Sequence, residues 1–158
     1  MREMLAGIDA EWTSNNEGGD TWSVFDVLGH LVHGERTDWL ARTRIILAGG
    51  ENTFEPFDRF AQFEASKGRT AKDLLDEFAE LRKANLGELQ AMNIDDAALK
   101  MRGVHPAFGG VTLSELLAAW VVHDLDHIAQ IARVMAKQYE EAVGPWHEYL
   151  GILHPRTK

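Results

Sequence analysis

Residues 112–139 read TLSELLAAWVVHDLDHIAQIARVMAKQY, and the fold can be predicted outward from this stretch. It opens with a capping box, in which the side chains of Thr112 and Glu115 pair with backbone N–H groups that a helix leaves free at its start. Apolar residues then recur at intervals of three and four, the spacing of one helical face. They are Leu113, Leu116, Leu117, Trp120, Ile131 and Val134. The pattern predicts a long amphipathic helix from Thr112 to about Tyr139.

Two more capping boxes mark further helix starts, at Ser23–Asp26 and Thr70–Asp73. The first precedes an apolar face that continues to Gly49-Gly50, which predicts a helix of roughly 25 residues. The second precedes leucines, a phenylalanine and a methionine at helical spacing with charged residues between them, which indicates one buried and one solvated face. Residues 1–12 also show helical spacing, and Gly144-Pro145 predicts the start of a short last helix.

These elements predict an all-α protein, a four-helix bundle with a long crossover connection and a short C-terminal helix, formed by a single domain over residues 1–158. The crossover is the link from Gly49 to Arg69, whose four phenylalanines suit packing over one end of a bundle. No segment alternates apolar and polar residues for long, so a sheet is not expected. Residues 103–111 are the one place that could hold a short extended segment.

The composition excludes several classes of protein. The chain has no cysteine, which rules out disulfides, thiolate nucleophiles and cysteine zinc sites, so any metal must be held by His, Asp or Glu. Its 25 acidic and 16 basic residues give a net charge of −9, and no basic stripe is visible to bind nucleic acid. No run approaches the ~18 apolar residues of a membrane span, and the N-terminus lacks a signal-peptide core. We therefore expect a cytoplasmic protein that binds neither nucleic acid nor membrane.

His123 and His127 are the strongest indication of function. Residues four apart on a helix lie about 40° apart on the same face, so the two imidazoles can point at one ion. The alternative is that both are core-edge residues with backbone or carboxylate partners, the common situation of a single buried histidine. Of the histidines on the second helix, His30 lies nearer the apolar face than His33. We therefore predict a metal site formed by His30, His123 and His127, with His33 as a reserve ligand.

Other polar residues near the pair are weaker candidates. Gln130, three residues after His127, could contact a ligand or the substrate. Asp124 and Asp126 point to other faces of the helix, where a solvated or salt-bridged carboxylate is the favoured interpretation over a role in orienting an imidazole. On the second helix, Glu35 and Arg42 could pair with each other or with a neighbour.

The remaining histidines and the tryptophans are assigned structural roles. His105 lies in a Pro/Gly loop and is expected to stabilise a turn, whereas His147 and His154 are expected on the surface of the tail. We expect four of the five tryptophans to fill the core or the helix ends, with one or two lining a pocket. They are Trp22, Trp39, Trp120 and Trp146.

A zincin-like metalloprotease is a rival interpretation of the motif. The run His123-Asp-Leu-Asp-His127 is similar to HExxH with aspartate at the general-base position, and Glu148 would be the third ligand. Aspartate is one methylene shorter than glutamate and reaches less far towards a metal-bound water. Since the sequence also predicts no strand to bind a peptide substrate, this interpretation is disfavoured.

Four segments, in this order and spacing, resemble the DinB-like superfamily. They are WSVFDVLGHL (residues 22–31), HPAFG (105–109), VTLSELL (111–117) and HDLDHIAQ (123–130). Residues 135–150 are also similar to the C-terminal end of one branch of that superfamily. The resemblance thus covers nearly the whole chain.

The resemblance implies a four-helix bundle that holds a divalent ion, zinc or nickel, with three histidines at one end. The first ligand of the family falls eight residues after the tryptophan, here His30, and the other two are His123 and His127. Members with known chemistry include bacillithiol S-transferases and mycothiol-dependent maleylpyruvate isomerase, in which the metal positions or activates a low-molecular-weight thiol. The resemblance therefore implies a small-molecule substrate and a thiol cosubstrate, and it is also the only indication of a homodimer.

Three functions remain open from the sequence. A thiol-dependent S-transferase is the leading one, because three protein ligands leave a position on a four-coordinate ion, and neutral imidazoles leave its charge uncompensated. A bound thiol or water would then ionise near neutral pH. The alternatives are a non-catalytic metal or small-ligand binding protein on the same bundle, and a metal-dependent hydrolase that uses metal-bound water.

Overall fold

The structure is a computed structural model that describes residues 1–50 and 52–154. The α-helices are α1 (Arg2–Leu5), α2 (Ala10–Ser14), α3 (Val24–Thr37), α4 (Trp39–Ala48), α5 (Ala61–Ala65), α6 (Ala71–Ala91) and α7 (Leu113–Lys137). The strands are β1 (Arg102–His105) and β2 (Gly109–Thr112), and 3₁₀ turns occupy Ala98–Lys100, Gly144–Tyr149 and Gly151–Leu153. Among the described residues, no helix has both the length and the apolar character that crossing a membrane requires.

The predicted helical bundle is confirmed, with α3 at its centre. α3 packs against α2, α5, α6 and α7, while its continuation α4 also packs against α7. All three predicted capping boxes are present, and Ser23, Thr70 and Thr112 each accept a hydrogen bond from the backbone N–H three residues later. Because these bonds form within a single turn, the helix starts follow directly from the local sequence.

Two of the predicted helices are divided. The first is interrupted between α1 and α2, where Gly7 has a φ of 72°, a left-handed conformation that cannot continue a helix. The second is divided at Asp38, whose ψ of −73° departs from helical geometry. The backbone N–H of Asp38 still bonds to Gly34 O at 3.0 Å and that of Arg42 to Asp38 O at 3.0 Å. α3 and α4 therefore continue one another across a local distortion.

The chain after α7 differs from the prediction. α7 ends at Lys137, two residues before the predicted end, and the expected last helix consists of two 3₁₀ turns. Trp146, in the first of these turns, is 69 % exposed, so its predicted packing role is wrong. Trp39 and Trp120 are buried as expected, and Trp22 is half-buried. In these two turns, Leu153 is the buried residue.

The structure contains a small sheet. It corrects the expectation of no sheet and confirms an extended segment within residues 103–111. β1 and β2 form an antiparallel hairpin in which Gly103 pairs with Val111, and the crossover joins it through a bridge between Thr53 and Val104. Phe54 of the crossover is 1 % exposed beneath this hairpin. A Cβ on Gly103 would lie 2.6 Å from the Phe54 ring, so the close packing of crossover and hairpin requires glycine there.

The buried apolar residues form two clusters. The first surrounds α3, with Leu28, Leu31, Leu74 and Ile131 among its members. The second lies around α4 and the start of α7 and includes Trp39, Phe54, Leu113 and Trp120. His30 lies on α3 beside Leu31 of the first cluster, and the ring of His123 lies edge-on to Trp39 of the second, with centroids 5.1 Å apart. The predicted histidine site therefore lies where the two clusters meet.

Candidate metal centre

The three predicted histidines converge on one point. α3 contributes His30, and α7 contributes His123 and His127 from successive turns of one face. His30 Nε2 and His123 Nε2 are 3.1 Å apart, as are His127 Nε2 and His123 Nε2. All three ligand atoms lie within 4.8 Å of one another, and this is the one such group of His, Asp or Glu found among the residues that the structure describes.

The spacing of the nitrogens suits a single divalent ion. Two imidazole nitrogens bound to one zinc ion at 2.0–2.1 Å with tetrahedral angles lie about 3.3 Å apart. The observed 3.1 Å separations from His123 Nε2 are close to that value. A set of three nitrogen donors without carboxylate or thiolate also matches the preference of zinc and nickel for imidazole. The residues present therefore fit the group that the family resemblance implies.

The environment keeps the imidazoles of His30 and His123 neutral. Burial lowers the pKa of His30 to about 3, with further lowering by the charges that His127 and His123 would carry. Burial and the neighbouring His127 lower the pKa of His123 to about 4. A neutral imidazole keeps a lone pair on one ring nitrogen, as a metal ligand requires.

Gln130 determines the orientation of one ligand. Its Oε1 lies 2.8 Å from His127 Nδ1, and because an amide oxygen only accepts, Nδ1 carries the proton and Nε2 carries the lone pair. Gln130, which was expected to contact a ligand or the substrate, thus contacts His127, one of the three predicted ligands. Such a partner on the outer nitrogen is the usual way in which a protein orients a histidine ligand.

Aromatic rings, and not hydrogen bonds to Nδ1, hold the side chains of His30 and His123 in place. Within residues 1–50 and 52–154, the buried Nδ1 atoms of both have no hydrogen-bond partner. His30 packs between Trp22 and Phe57, at centroid distances of 5.0 and 5.4 Å, and His123 packs against Trp39. Ordinary core histidines were expected to have backbone or carboxylate partners. In the described part of the chain, the Nδ1 atoms of His30 and His123 have none.

The other candidate residues lie outside the cluster. The His33 ring packs against Phe57 with centroids 5.0 Å apart and is not part of the histidine group. Asp124 pairs with Arg82 at 2.6 Å, as the salt-bridged interpretation predicted, and Asp126 is exposed. Glu148, the third ligand of the zincin interpretation, is exposed and likewise outside the group.

The outer histidines have the predicted structural roles, with one difference. His105 Nδ1 accepts a hydrogen bond from the Ala107 backbone N–H at 3.1 Å and stabilises the hairpin turn. His154 is exposed, whereas His147 is half-buried with its Nε2 3.3 Å from Glu140 Oε1.

A cavity of about 490 Å³ opens beside the histidines. Its floor is a stripe of residues at intervals of four, namely His30, Gly34, Asp38 and Arg42, and its walls come from the crossover and the hairpin turn. No sequence pattern placed Asp38, Phe57 or His105 in the site. One available indication was the interval of four between Asp38 and Arg42, which puts both on one face of a helix. The two residues form an ion pair of 2.6 Å.

The fold and the histidine cluster together define a class, that of helical bundles with a three-histidine candidate metal centre at one end. The sequence model of the DinB superfamily matches residues 1–131, and the chain belongs to this superfamily, as the resemblance indicated. Among solved structures, it is similar to YfiT from Bacillus subtilis, described as a probable metal-dependent hydrolase with an unusual four-helix bundle topology.

The similarity to YfiT concerns the fold. The TM-score is 0.71 at 21 % sequence identity, and the match covers 90 % of this chain and 79 % of YfiT. No curated protein sequence matches the chain.

Proposed function

We propose that the protein is a metal-dependent enzyme in which His30, His123 and His127 hold a divalent ion, zinc or nickel, that activates a low-molecular-weight thiol for transfer to a small electrophile. The observation that carries the metal half of this proposal is the convergence of three buried or half-buried Nε2 atoms. The thiol half rests on the resemblance to superfamily members that use such thiols.

The donor set supports catalysis over a purely structural role for the ion. Three protein ligands leave a coordination position, the arrangement typical of catalytic sites, and the bound ion would lower the pKa of a thiol or water in that position. His30 and His123 both line the cavity, so a small molecule can reach the cluster from it. Gln130 keeps the proton of His127 on the nitrogen that faces away from the cluster.

The proposed reaction is a nucleophilic substitution or addition. The thiol loses its proton to solvent, and its sulfur forms a bond to the electrophilic carbon. In a substitution the leaving group departs with the electron pair of the broken bond. In an addition the π electron pair moves to the adjacent atom, which takes up a proton from solvent. The packing of Trp22, Phe57 and Trp39 around His30 and His123 excludes water from one side of the cluster and fixes the ring planes.

Metal content is the first test. Elemental analysis of gently purified protein should find close to one zinc or nickel per chain, and the His123→Ala/His127→Ala double variant should contain none. His33→Ala is the matched control, because His33 lies one turn from His30 but outside the cluster. A folded wild-type protein that takes up no divalent ion after supplementation would refute the proposal.

The reaction class is tested next. Loaded protein should accelerate the attack of a low-molecular-weight thiol on 1-chloro-2,4-dinitrobenzene, and a thiol titration should show a lower thiol pKa in loaded than in metal-free protein. Equal thiol ionisation in the two forms would refute the mechanism.

A metal-dependent hydrolase is the second candidate, favoured by the fold shared with YfiT, which is described as a probable enzyme of that kind. Thiol-independent cleavage of p-nitrophenyl acetate by the loaded protein, lost in the double variant, would select it. Tight metal binding without turnover in either assay would instead indicate the non-catalytic binding protein.

A further inference from the structure

A buried arginine without a complete set of partners lines the same cavity as the histidines. Arg42 is 8 % exposed, and its Nε lies 2.6 Å from Asp38 Oδ1. Its guanidinium lies over the Phe54 ring, with Cζ 5.2 Å from the ring centroid. Asp38 on one edge and Phe54 on one face therefore hold the guanidinium plane in a defined orientation.

The two terminal nitrogens of Arg42 remain available. Within the described ranges 1–50 and 52–154, the contacts found for the Arg42 guanidinium are the ion pair of Nε with Asp38 and the Phe54 ring. Neither Nη atom is among the fully buried side-chain atoms that lack a partner in those ranges, which is consistent with their access to the cavity. Since Arg42 lines the cavity, an acceptor that enters the cavity can satisfy these donors.

His105 offers another donor in the same cavity. Its Nδ1 accepts the Ala107 N–H, so in the neutral ring the proton is on Nε2. Burial and the charge of Arg42 lower the pKa of His105, which keeps the ring neutral at physiological pH. The Nε2–H is therefore a permanent donor rather than a titrating one.

The lining of the cavity combines one ion pair with the hydrogen-bond donors of Arg42 and His105. Asp38 is its one acidic lining residue, and the pairing with Arg42 offsets that charge. Apart from these two residues and the histidines, the described lining is apolar, with Trp39 and Phe57 as its largest side chains. A ligand that fits this cavity combines a compact anionic group with an apolar body.

We propose that this cavity binds a small apolar molecule through a carboxylate, which the Nη edge of Arg42 and Nε2 of His105 receive. The two parallel Nη–H groups match the two oxygens of a carboxylate. This inference deepens the proposed function by assigning the substrate to small carboxylic acids. It rests on that function, because it takes the bound molecule to be the electrophile. The cavity places the body of that molecule between Arg42 and the histidine cluster.

Benzoate and benzamide are suitable probes, since they share a shape and differ in charge. We expect wild-type protein to bind benzoate roughly 10- to 100-fold more tightly than benzamide, the range for hydrogen bonds to a charged partner. Titrations followed by NMR would be made with metal-free and with metal-loaded protein. The preference for benzoate should be present in both forms.

The decisive variant is Asp38→Asn/Arg42→Gln, which removes both charges and leaves neither buried without its partner. It should bind benzoate and benzamide about equally. Arg42→Lys keeps the charge but loses the planar fork, and it should lower the affinity for benzoate; this variant also serves as the test if the double variant does not fold. Arg44→Gln is the matched control, because Arg44 lies on the same helix but pairs with Glu88 on the surface, and it should retain the full preference.

Three outcomes would overturn the inference. They are equal binding of both probes by wild-type protein, a benzoate preference that persists in the double variant or occurs only with metal, and tighter binding of phenyl phosphate than of benzoate. Metal analysis of the same samples separates this test from that of the proposed function. A benzoate preference in protein that takes up no metal would support the carboxylate site and refute the metal-dependent enzyme, whereas metal binding without that preference would do the reverse.

Discussion

Two buried polar clusters lie between α3 and α7, and they differ in how completely their members are paired. In the first, which we call the Glu35 network, Glu35 is 4 % exposed and accepts hydrogen bonds from Trp120 Nε1 at 2.9 Å, Asn85 Nδ2 at 3.0 Å and Arg82 Nη2 at 2.8 Å. Arg82 also pairs with Asp124 at 2.6 Å. Both carboxylates of the network therefore have charged or strongly polar partners.

The histidine cluster shows the opposite pattern. Its three Nε2 atoms face one another, and the Nδ1 atoms of His30 and His123 have no partner within residues 1–50 and 52–154. A network whose buried carboxylates are all paired stabilises a unique fold, whereas converging ring nitrogens whose outer nitrogens lack partners provide a place for a ligand. The comparison assigns the Glu35 network to stability and the histidine cluster to binding.

The largest effect that tests this contrast is expected at Glu35. Glu35→Ala leaves Arg82, Asn85 and Trp120 without their shared acceptor, and we expect it to lower the free energy of unfolding by about 3–5 kcal/mol. Urea denaturation measures the change. Glu88→Ala, which removes an exposed carboxylate, is the control, and a loss at Glu35 no greater than at Glu88 would contradict the structural role.

Metal binding should stabilise the protein through the histidine cluster alone. At a free metal concentration of 100 times Kd, the free energy of unfolding should rise by about 2.7 kcal/mol, because the ion binds only the folded chain. Thermal denaturation with and without metal measures this gain. His30→Ala should abolish the gain, and an equal gain in wild type and variant would show that the ion binds elsewhere.

Gln130 should have a smaller effect, confined to metal affinity. Gln130→Leu removes the acceptor that holds the proton on His127 Nδ1, and we expect the metal affinity to fall roughly 10- to 100-fold. Competition with a chromophoric chelator measures the dissociation constant. The control is Gln90→Leu, at an exposed position of α6, and comparable weakening in both variants would contradict an orienting role for Gln130.

The smallest effect is expected at a surface ion pair that belongs to neither cluster. Arg44 and Glu88 are separated by 2.5 Å, but their side chains are 55 % and 45 % exposed. A double-mutant cycle with Arg44→Met and Glu88→Met should give a coupling free energy of about 0.2–1 kcal/mol, reduced by added salt. A coupling free energy as large as the loss of about 3–5 kcal/mol expected for Glu35→Ala would mean that burial does not explain why the two sites differ in stabilisation.

Several features could be predicted because they depend on neighbours within about one helical turn. The starts at Ser23, Thr70 and Thr112 came from capping boxes, and the common face of His123 and His127 from their interval of four. The division of the second helix at Asp38 could not be predicted in this way. Asp38 does not interrupt the sequence pattern, and its backbone departs from a helix within a hydrogen-bonded continuation.

Partner choice was also beyond the local pattern. The sequence left open whether Glu35 and Arg42 pair with each other, and the structure gives Glu35 the partner Arg82 from α6 and Arg42 the partner Asp38. The charge run of α6 was interpreted as a solvated surface, yet Arg82 from that run turns inward to two carboxylates. Which charged residue of a helix turns inward depends on how the helix is rotated against its neighbours.

The sequence by itself determined the helical class, the helix starts, the crossover and the histidines to consider, since capping and periodicity act over three or four residues. Tertiary structure alone decided that Asp38, Arg42 and His105 share a cavity with His30 and His123. Those residues are far apart in the chain. Their meeting depends on the packing of apolar faces, which sets the rotation and depth of each helix and has no counterpart in any local sequence pattern.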